Sequence, residues 1–308
     1  GARMSHQQKL ARNSRLLFWA RAFVEVKAMA AVVVLFYLQR GVTLDQVFWL
    51  SIVWSLTALV TEIPSGYLAD RIGRKNTLLL GAGLLACVHM GNWVAQGFWP
   101  FVAVFILMSC AFSFFSGTEE ALLYESLMEL GQSEQMTRKN SHLFCARSLF
   151  KIFLPFVGSW IAQDLLEWQF RILIGIDAFA LLVAIVCLLQ LREPRHQQDI
   201  LETEIGIFRQ SLQTIRQQPW MLYVSLNKLL VFMAVFIAWR VSQPLLLSSG
   251  MGVVWLGMLD MGSHALLFGG ALLMARGGLA SNQQDRFILW TALCSMGSFF
   301  VASVSTSS

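Results

Sequence analysis

The chain has 308 residues, 56% of them apolar and only 13% charged, with a formal net charge of +5 and a mean hydropathy of +0.60. A soluble globular domain has no need of so large an apolar excess, so the composition describes a chain that uses lipid as its solvent. The positive balance does not indicate a nucleic-acid binder either, because 15 of the 23 Lys and Arg residues fall on alternate loops between apolar runs, against Arg40 alone on the others, the distribution expected of a membrane protein.

Crossing a hydrocarbon layer of about 30 Å takes roughly 20 apolar residues as a helix, with every backbone group satisfied inside the segment. Nine runs meet that requirement: Leu16–Leu38, Val47–Ala69, Thr77–Ala95, Pro100–Gly117, His142–Ala162, Trp168–Leu191, Trp220–Val241, Val253–Ala275 and Phe287–Val304. Arg3, Lys9, Arg12 and Arg15 precede the first run, Arg71, Arg74 and Lys75 follow the second, Arg138 and Lys139 follow the fourth, and Arg40 stands alone on the opposite side. The positive-inside rule therefore predicts a cytoplasmic N-terminus. The first run is a full span without a small-residue cleavage site and serves as its own insertion signal. Cys87, Cys110, Cys145, Cys187 and Cys294 all fall within runs, with neither metal-ligand spacing nor an obvious disulfide partner.

The one long polar interruption, Arg192 to Pro219, carries Ile205, Phe208, Leu212 and Ile215 at intervals of three or four residues and reads as an amphipathic helix on the cytoplasmic surface. The expected organisation is a six-helix bundle over 1–191, the linker over 192–218 and a partial second bundle over 219–308. The odd number of runs, the Ser303–Ser308 end and Gly1 in place of an initiator Met lead us to expect a fragment lacking three further helices, with a natural nine-helix protein as the alternative.

Between the second and third runs stands Gly66-Tyr67-Leu68-Ala69-Asp70-Arg71-Ile72-Gly73-Arg74-Lys75, a charged turn clamped between apolar segments. Spelled Gly-x-x-x-Asp-Arg-x-Gly-Arg-Lys, it resembles the loop between helices 2 and 3 of the major facilitator superfamily of secondary transporters. Glu62-Ile63-Pro64-Ser65-Gly66 and Ser116-Gly117-Thr118-Glu119-Glu120-Ala121-Leu122-Leu123-Tyr124-Glu125-Ser126-Leu127 extend the resemblance to a bacterial, drug-efflux-like branch. It implies an all-α polytopic membrane protein of two helical halves working by alternating access, with Asp70, Arg71, Arg74 and Lys75 latching the halves together on the cytoplasmic side when the carrier faces outward. Glycine at Gly66 and Gly73 suits a sharp bend or a close helix approach. Asp70 can accept hydrogen bonds from bases or from a neighbouring helix N-terminus. The alternative is that these bases only anchor the loop. Ser113 stands where drug–proton antiporters carry an Arg, and of their helix-5 pattern Gly-Pro-x-x-Gly-Gly only Pro155 and Gly158 remain.

An ionisable group near mid-membrane costs several kcal/mol, on the order of 3, and persists mainly where it pairs or lines a wet cavity. Arg21 and Glu25 lie one helical turn apart with Lys27 nearby, Arg147 and Lys151 are one turn apart in the fifth run, and Lys228 and Asp260 are both placed near the midplane, with His264 one turn from Asp260. Glu25, Asp260 and His264 are the proton-coupling candidates. Arg21, Lys27, Arg147, Lys151, Lys228, Glu62, Glu119 and Glu120 are candidates for substrate contact or a charge network, static helix-fixing ion pairs being the alternative. Glu119 and Glu120 are expected at the cytoplasmic face, within reach of Arg147. Leaving those two aside, the intramembrane bases outnumber the acids, an excess that an anionic or zwitterionic solute would neutralise. His89 and Asn92 share a helix face, where an interhelical hydrogen bond is expected before a metal ligand.

The sequence contains no phosphate-binding Gly-rich loop, nucleophile elbow or His-Glu-x-x-His motif. We therefore expect no enzyme, no cofactor, no metal site and no nucleic-acid partner. The expected protein is a monomeric carrier of the bacterial inner membrane that moves a small solute, with protons, by export. Import by proton symport or uniport is the nearer alternative. A membrane-embedded lipid-modifying enzyme is the alternative of another class, for which Glu119, Glu120 and Glu125 would be the acidic cluster.

Overall fold

The computed structural model describes residues 6–194 and 241–275. Within those limits the regular structure is helical, and the helices run back and forth between two ends, named here for their glycine turns the Gly73 end and the Gly97 end. The first span is built from α1 (His6–Ala11), α2 (Asn13–Val24), a 3-10 turn (Ala30–Val32) and α3 (Val33–Gln39). Then come α4 (Leu44–Ile72), α5 (Arg74–Val94), α6 (Phe98–Phe115), α7 (Thr118–Glu129), α8 (Met136–Ser148), α9 (Leu154–Ile161) and α10 (Glu167–Leu189). Residues 241–248 form a further helix, α11, followed by α12 (Val253–Ala275). Four described segments are long and apolar enough to cross a membrane: Leu44–Glu62, Arg74–Val94, Phe98–Glu129 and Glu167–Leu189. Their outward faces carry Trp49, Leu59, Val60, Trp99, Phe179 and Leu182 in the open, as a lipid solvent permits.

Three expected spans differ from their apolar runs. The first is interrupted over residues 25–29 and the fifth over 149–153. In the fifth, Pro155 has no N–H and its ring excludes the carbonyl of residue 151 from a continuous helix, so α8 stops and α9 restarts with the proline in its first turn. The fourth run does not end at Gly117. That residue, at φ +73°, kinks the chain and α7 carries the span on to Glu129. In addition, α11 carries the seventh run past Val241. The linker beyond Pro194, most of the seventh run, the ninth run and Lys228 lie outside the described residues.

Two apolar clusters fill the interior. One, toward the Gly97 end, joins Phe36, Phe101, Phe105, Phe170 and Leu173; the other, toward the Gly73 end, joins Leu17, Leu78, Phe115, Leu122, Leu143 and Leu188. Along the first, fifth and sixth spans, Arg21 and Glu25, Arg147 and Lys151, and Asp177 fall between the two. The interior is thus two greasy layers with a charged layer between them. Each end is stapled by polar contacts. At the Gly97 end Arg40 binds Glu167 at 2.6 Å and donates to the Ala95 carbonyl at 2.8 Å. At the Gly73 end Asn13 donates to the Ser126 hydroxyl at 2.9 Å and to the Arg192 carbonyl at 2.7 Å, and accepts from the Arg192 N–H at 3.0 Å.

Candidate functional site

The charged turn closes through partners on three helices. After α4, Gly73 adopts φ +98°, a left-handed conformation that disfavours a side chain, and a Cβ there would also lie 3.0 Å from Glu193 Oε1. Asp70 and Arg74 pair at 2.7 Å one turn apart, and Arg74 reaches on to Glu125 of α7 at 3.2 Å. The N-terminus of α5 is held by Glu193, whose carboxylate accepts from the Arg74 N–H at 2.6 Å and the Lys75 N–H at 3.0 Å. A carboxylate there satisfies two orphan donors and the positive end of the helix dipole. Lys75 donates to the Leu189 carbonyl at 2.7 Å, while Arg71 is exposed. Asp70 therefore takes the basic side chain and Glu193 takes the helix terminus. Sequence reading missed Glu193; its signal was an acid placed just past the sixth run, on the same side of the bundle as the turn. Gly66 does not act as expected: it sits inside α4, and a Cβ there would meet nothing within 4 Å among the described residues.

Deeper in the bundle, the broken first and fifth spans bring their charges together. Arg21, at the end of α2, pairs with Glu25 at 2.6 Å, and Lys151 of the fifth-span break reaches the other Glu25 oxygen at 2.6 Å. Arg21 also faces Glu119 at 3.4 Å, while Arg147 spans Glu119 at 3.9 Å and Glu120 at 3.1 Å. Glu119 is 1% exposed, and neither of its oxygens has a well-formed hydrogen bond among the described residues. Arg147 and Lys151 are about a third exposed, at 31% and 30%. The network therefore has a sealed pole at Arg21 and Glu119 and an open pole at Arg147, Lys151 and Glu120.

This placement corrects two expectations. Because α7 extends the fourth span, Glu119 is a buried member of the network rather than a residue of the cytoplasmic face, and it lies more than a turn deeper than Glu125. With Glu119 and Glu120 included, Arg21, Arg147 and Lys151 balance Glu25, Glu119 and Glu120, and the excess of positive charge that pointed to an anionic solute disappears.

Of the other candidates, Lys27 and His264 lie within electrostatic reach of Glu25. Glu62 and Lys27 are exposed and make no ion pair among the described residues. Asp260 and His264 approach at 4.0 Å on α12. No hydrogen bond joins His89 or Asn92 to another helix among the described residues, and the Asn92 Oδ1 is unpartnered. Ser113 bonds the Thr61 hydroxyl at 2.8 Å, so a neutral pair stands where antiporters place a cation.

The first-span break is held by neighbours. Asp177 of α10 accepts from the Ala28 N–H at 2.7 Å. Gln243 of α11, 3% exposed, accepts from the Val34 N–H at 2.9 Å and donates to the Ala30 carbonyl at 3.0 Å. Gly158 lies so close that a Cβ would fall 1.8 Å from the Ala28 carbonyl oxygen. The retained Pro155 and Gly158 thus have distinct tasks, one restarting a helix and the other letting it touch the break. Irregular backbone of this kind at membrane depth is tolerated where protein encloses it, and broken helices beside buried charges are a recurrent construction in secondary transporters.

A sequence profile of the Major Facilitator Superfamily matches residues 17–308. The chain belongs to the Major Facilitator Superfamily. It is therefore a multi-pass membrane protein of a family of secondary transporters, in which the paired broken spans and their ion network occupy the interior of the first helical half. None of the curated proteins searched matches the chain.

Proposed function

We propose that this carrier exports a small solute from the bacterial cytoplasm in exchange for protons, with its N-terminus and the Gly73 end in the cytosol, and that Glu119 takes up and releases the coupling proton. The basic residues on alternate loops support that orientation. One observation carries the coupling: a carboxylate sealed between two arginines at 3.4 and 3.9 Å, neither contact a close, well-aligned hydrogen bond among the described residues. Glu25 is a poorer carrier because two charge-assisted contacts at 2.6 Å hold its anion in place. Protonating Glu119 leaves the network with a net positive charge and frees Arg21 and Arg147 to rearrange, and a solute entering from the open pole can use that change. The bilayer, the solute and the proton are its partners, and the working unit is a monomer.

Everted membrane vesicles test the reading. With an acidic interior reported by acridine orange, adding members of a panel of cationic drugs, sugars and organic anions should identify a solute that collapses the gradient in the parent and not in Glu119→Gln. Collapse of equal size in Glu119→Gln would remove Glu119 from the coupling. The Ser113–Thr61 pair favours a second reading, proton symport inward, in which the response appears only in right-side-out vesicles with an acidic exterior.

A further inference from the structure

The two backbone groups engaged by Gln243 are the carbonyl of residue 30 and the N–H of residue 34, which would bond each other in a continuous α-helix. The amide of Gln243 is therefore inserted into the hydrogen-bond ladder of the first span where the 3-10 turn that follows the break meets α3. It reaches there from the far side of the linker, on a helix that leads through Gly250 into α12. Alongside it, α12 packs against α9 so closely that a Cβ on Gly257 would lie 1.9 Å from Ser159 Oγ and 2.6 Å from the Pro155 carbonyl oxygen. Ser159 is fully buried in that seam and donates to the Val254 carbonyl at 3.4 Å. Among the described residues, the second half of the chain thus meets the first at the Gly97 end through an amide clasp and a glycine seam.

We infer that Gln243 is a positioning residue of the transport cycle: it closes the Gly97 end by pinning the junction of the 3-10 turn with α3, and its withdrawal lets the Ala30 carbonyl and Val34 N–H bond each other and α3 extend back toward the break that Asp177 holds at Ala28. The reasoning is an accounting of backbone polar groups. When the seam opens, both groups lose their partner in a region without bulk water, and the least costly replacement is each other. Extending α3 back toward the break turns the backbone that leads to Glu25 relative to Lys151. Opening of the outer seam is thereby coupled mechanically to the ion network, whichever solute or ion the carrier uses.

The test needs no solute. In the protein with its native cysteines replaced by serine, Ser159→Cys reports seam opening through its rate of alkylation by a membrane-impermeant maleimide in proteoliposomes. Gln243→Met keeps the length of the side chain and removes both hydrogen bonds; it should raise the labelling rate about fivefold to tenfold, the population shift that losing one or two such bonds produces. Val33→Pro falls at the first residue of α3, where a proline needs no intrahelical N–H, and it forbids a continuous helix through residue 29. It should bring the labelling rate below that of the parent and, combined with Gln243→Met, cancel the increase. A clasp that merely stabilised the fold would leave the double variant as reactive as Gln243→Met alone. An unchanged rate in Gln243→Met, or an increase that persists in the double variant, overturns the inference. Should Gln243→Met fail to fold, Val33→Pro alone decides, since a parental labelling rate in that variant also overturns it.

Discussion

Glu193 and Asp70 divide between them what a single aspartate was expected to do. Asp70 neutralises Arg74 one turn away, whereas Glu193 caps the α5 N-terminus from the end of the sixth span. The turn should consequently depend more on the acid that sequence reading passed over. Removing Glu193 leaves two helix N–H groups and a dipole end unsatisfied, a loss of about 1 kcal/mol or somewhat more. Limited trypsin digestion of everted vesicles should then cleave after Arg71, Arg74 or Lys75 several-fold faster in Glu193→Ala than in Asp70→Asn. Equal rates would mean that the Asp70–Arg74 pair alone holds the turn. The spacing of Asp70, Gly73 and Arg74 made the turn visible in one dimension. Glu193 was not visible, because its partners are main-chain atoms more than a hundred residues away, and no local pattern marks a distant cap.

At the scale of elements, hydropathy finds spans and cannot find their interruptions. Leu149 to Phe153 is as apolar as the helices it divides, and Glu25 to Met29, despite Glu25 and Lys27, is flanked by apolar residues on both sides, so the runs read as continuous. What breaks them is Pro155 in one case and side chains from α10 and α11 in the other. Pro155 could have been weighed from sequence by its effect four residues upstream, but Gln243 could not, since its contact joins the two halves of the chain. The closeness of α9 to the first-span break gives the element-scale prediction. Gly158→Ala places a methyl on a backbone carbonyl that no rotamer change can move, and overpacking of that kind costs about 1–3 kcal/mol. Gly175→Ala in α10 meets nothing within 4 Å and should stabilise its helix by up to about 1 kcal/mol. Thermal unfolding in detergent should lower the midpoint for the first and preserve or raise it for the second. A neutral Gly158→Ala would show that α9 and the break are not in contact in the membrane.

For the molecule as a whole, the layering of charge between two apolar clusters organises function. Two greasy layers fix the packing of the spans, and the balanced network between them is the one place in the described first half where a change of a single charge alters the sum of forces on three spans together. Spacing pairs Arg21 with Glu25 and Arg147 with Lys151 within their own spans, but the rise counted along the fourth span from Pro100 carries Glu119 to the membrane surface. That one misplacement created the apparent surplus of positive charge and the anionic solute inferred from it. Glu119 is now the centre of the account, and infrared difference spectroscopy of the reconstituted protein between acidic and neutral pH observes it directly. The carbonyl stretch of a protonated carboxyl should appear in the parent, persist in Glu25→Gln and vanish in Glu119→Gln. A band that survives Glu119→Gln and is lost in Glu25→Gln would contradict the assignment of the proton to Glu119.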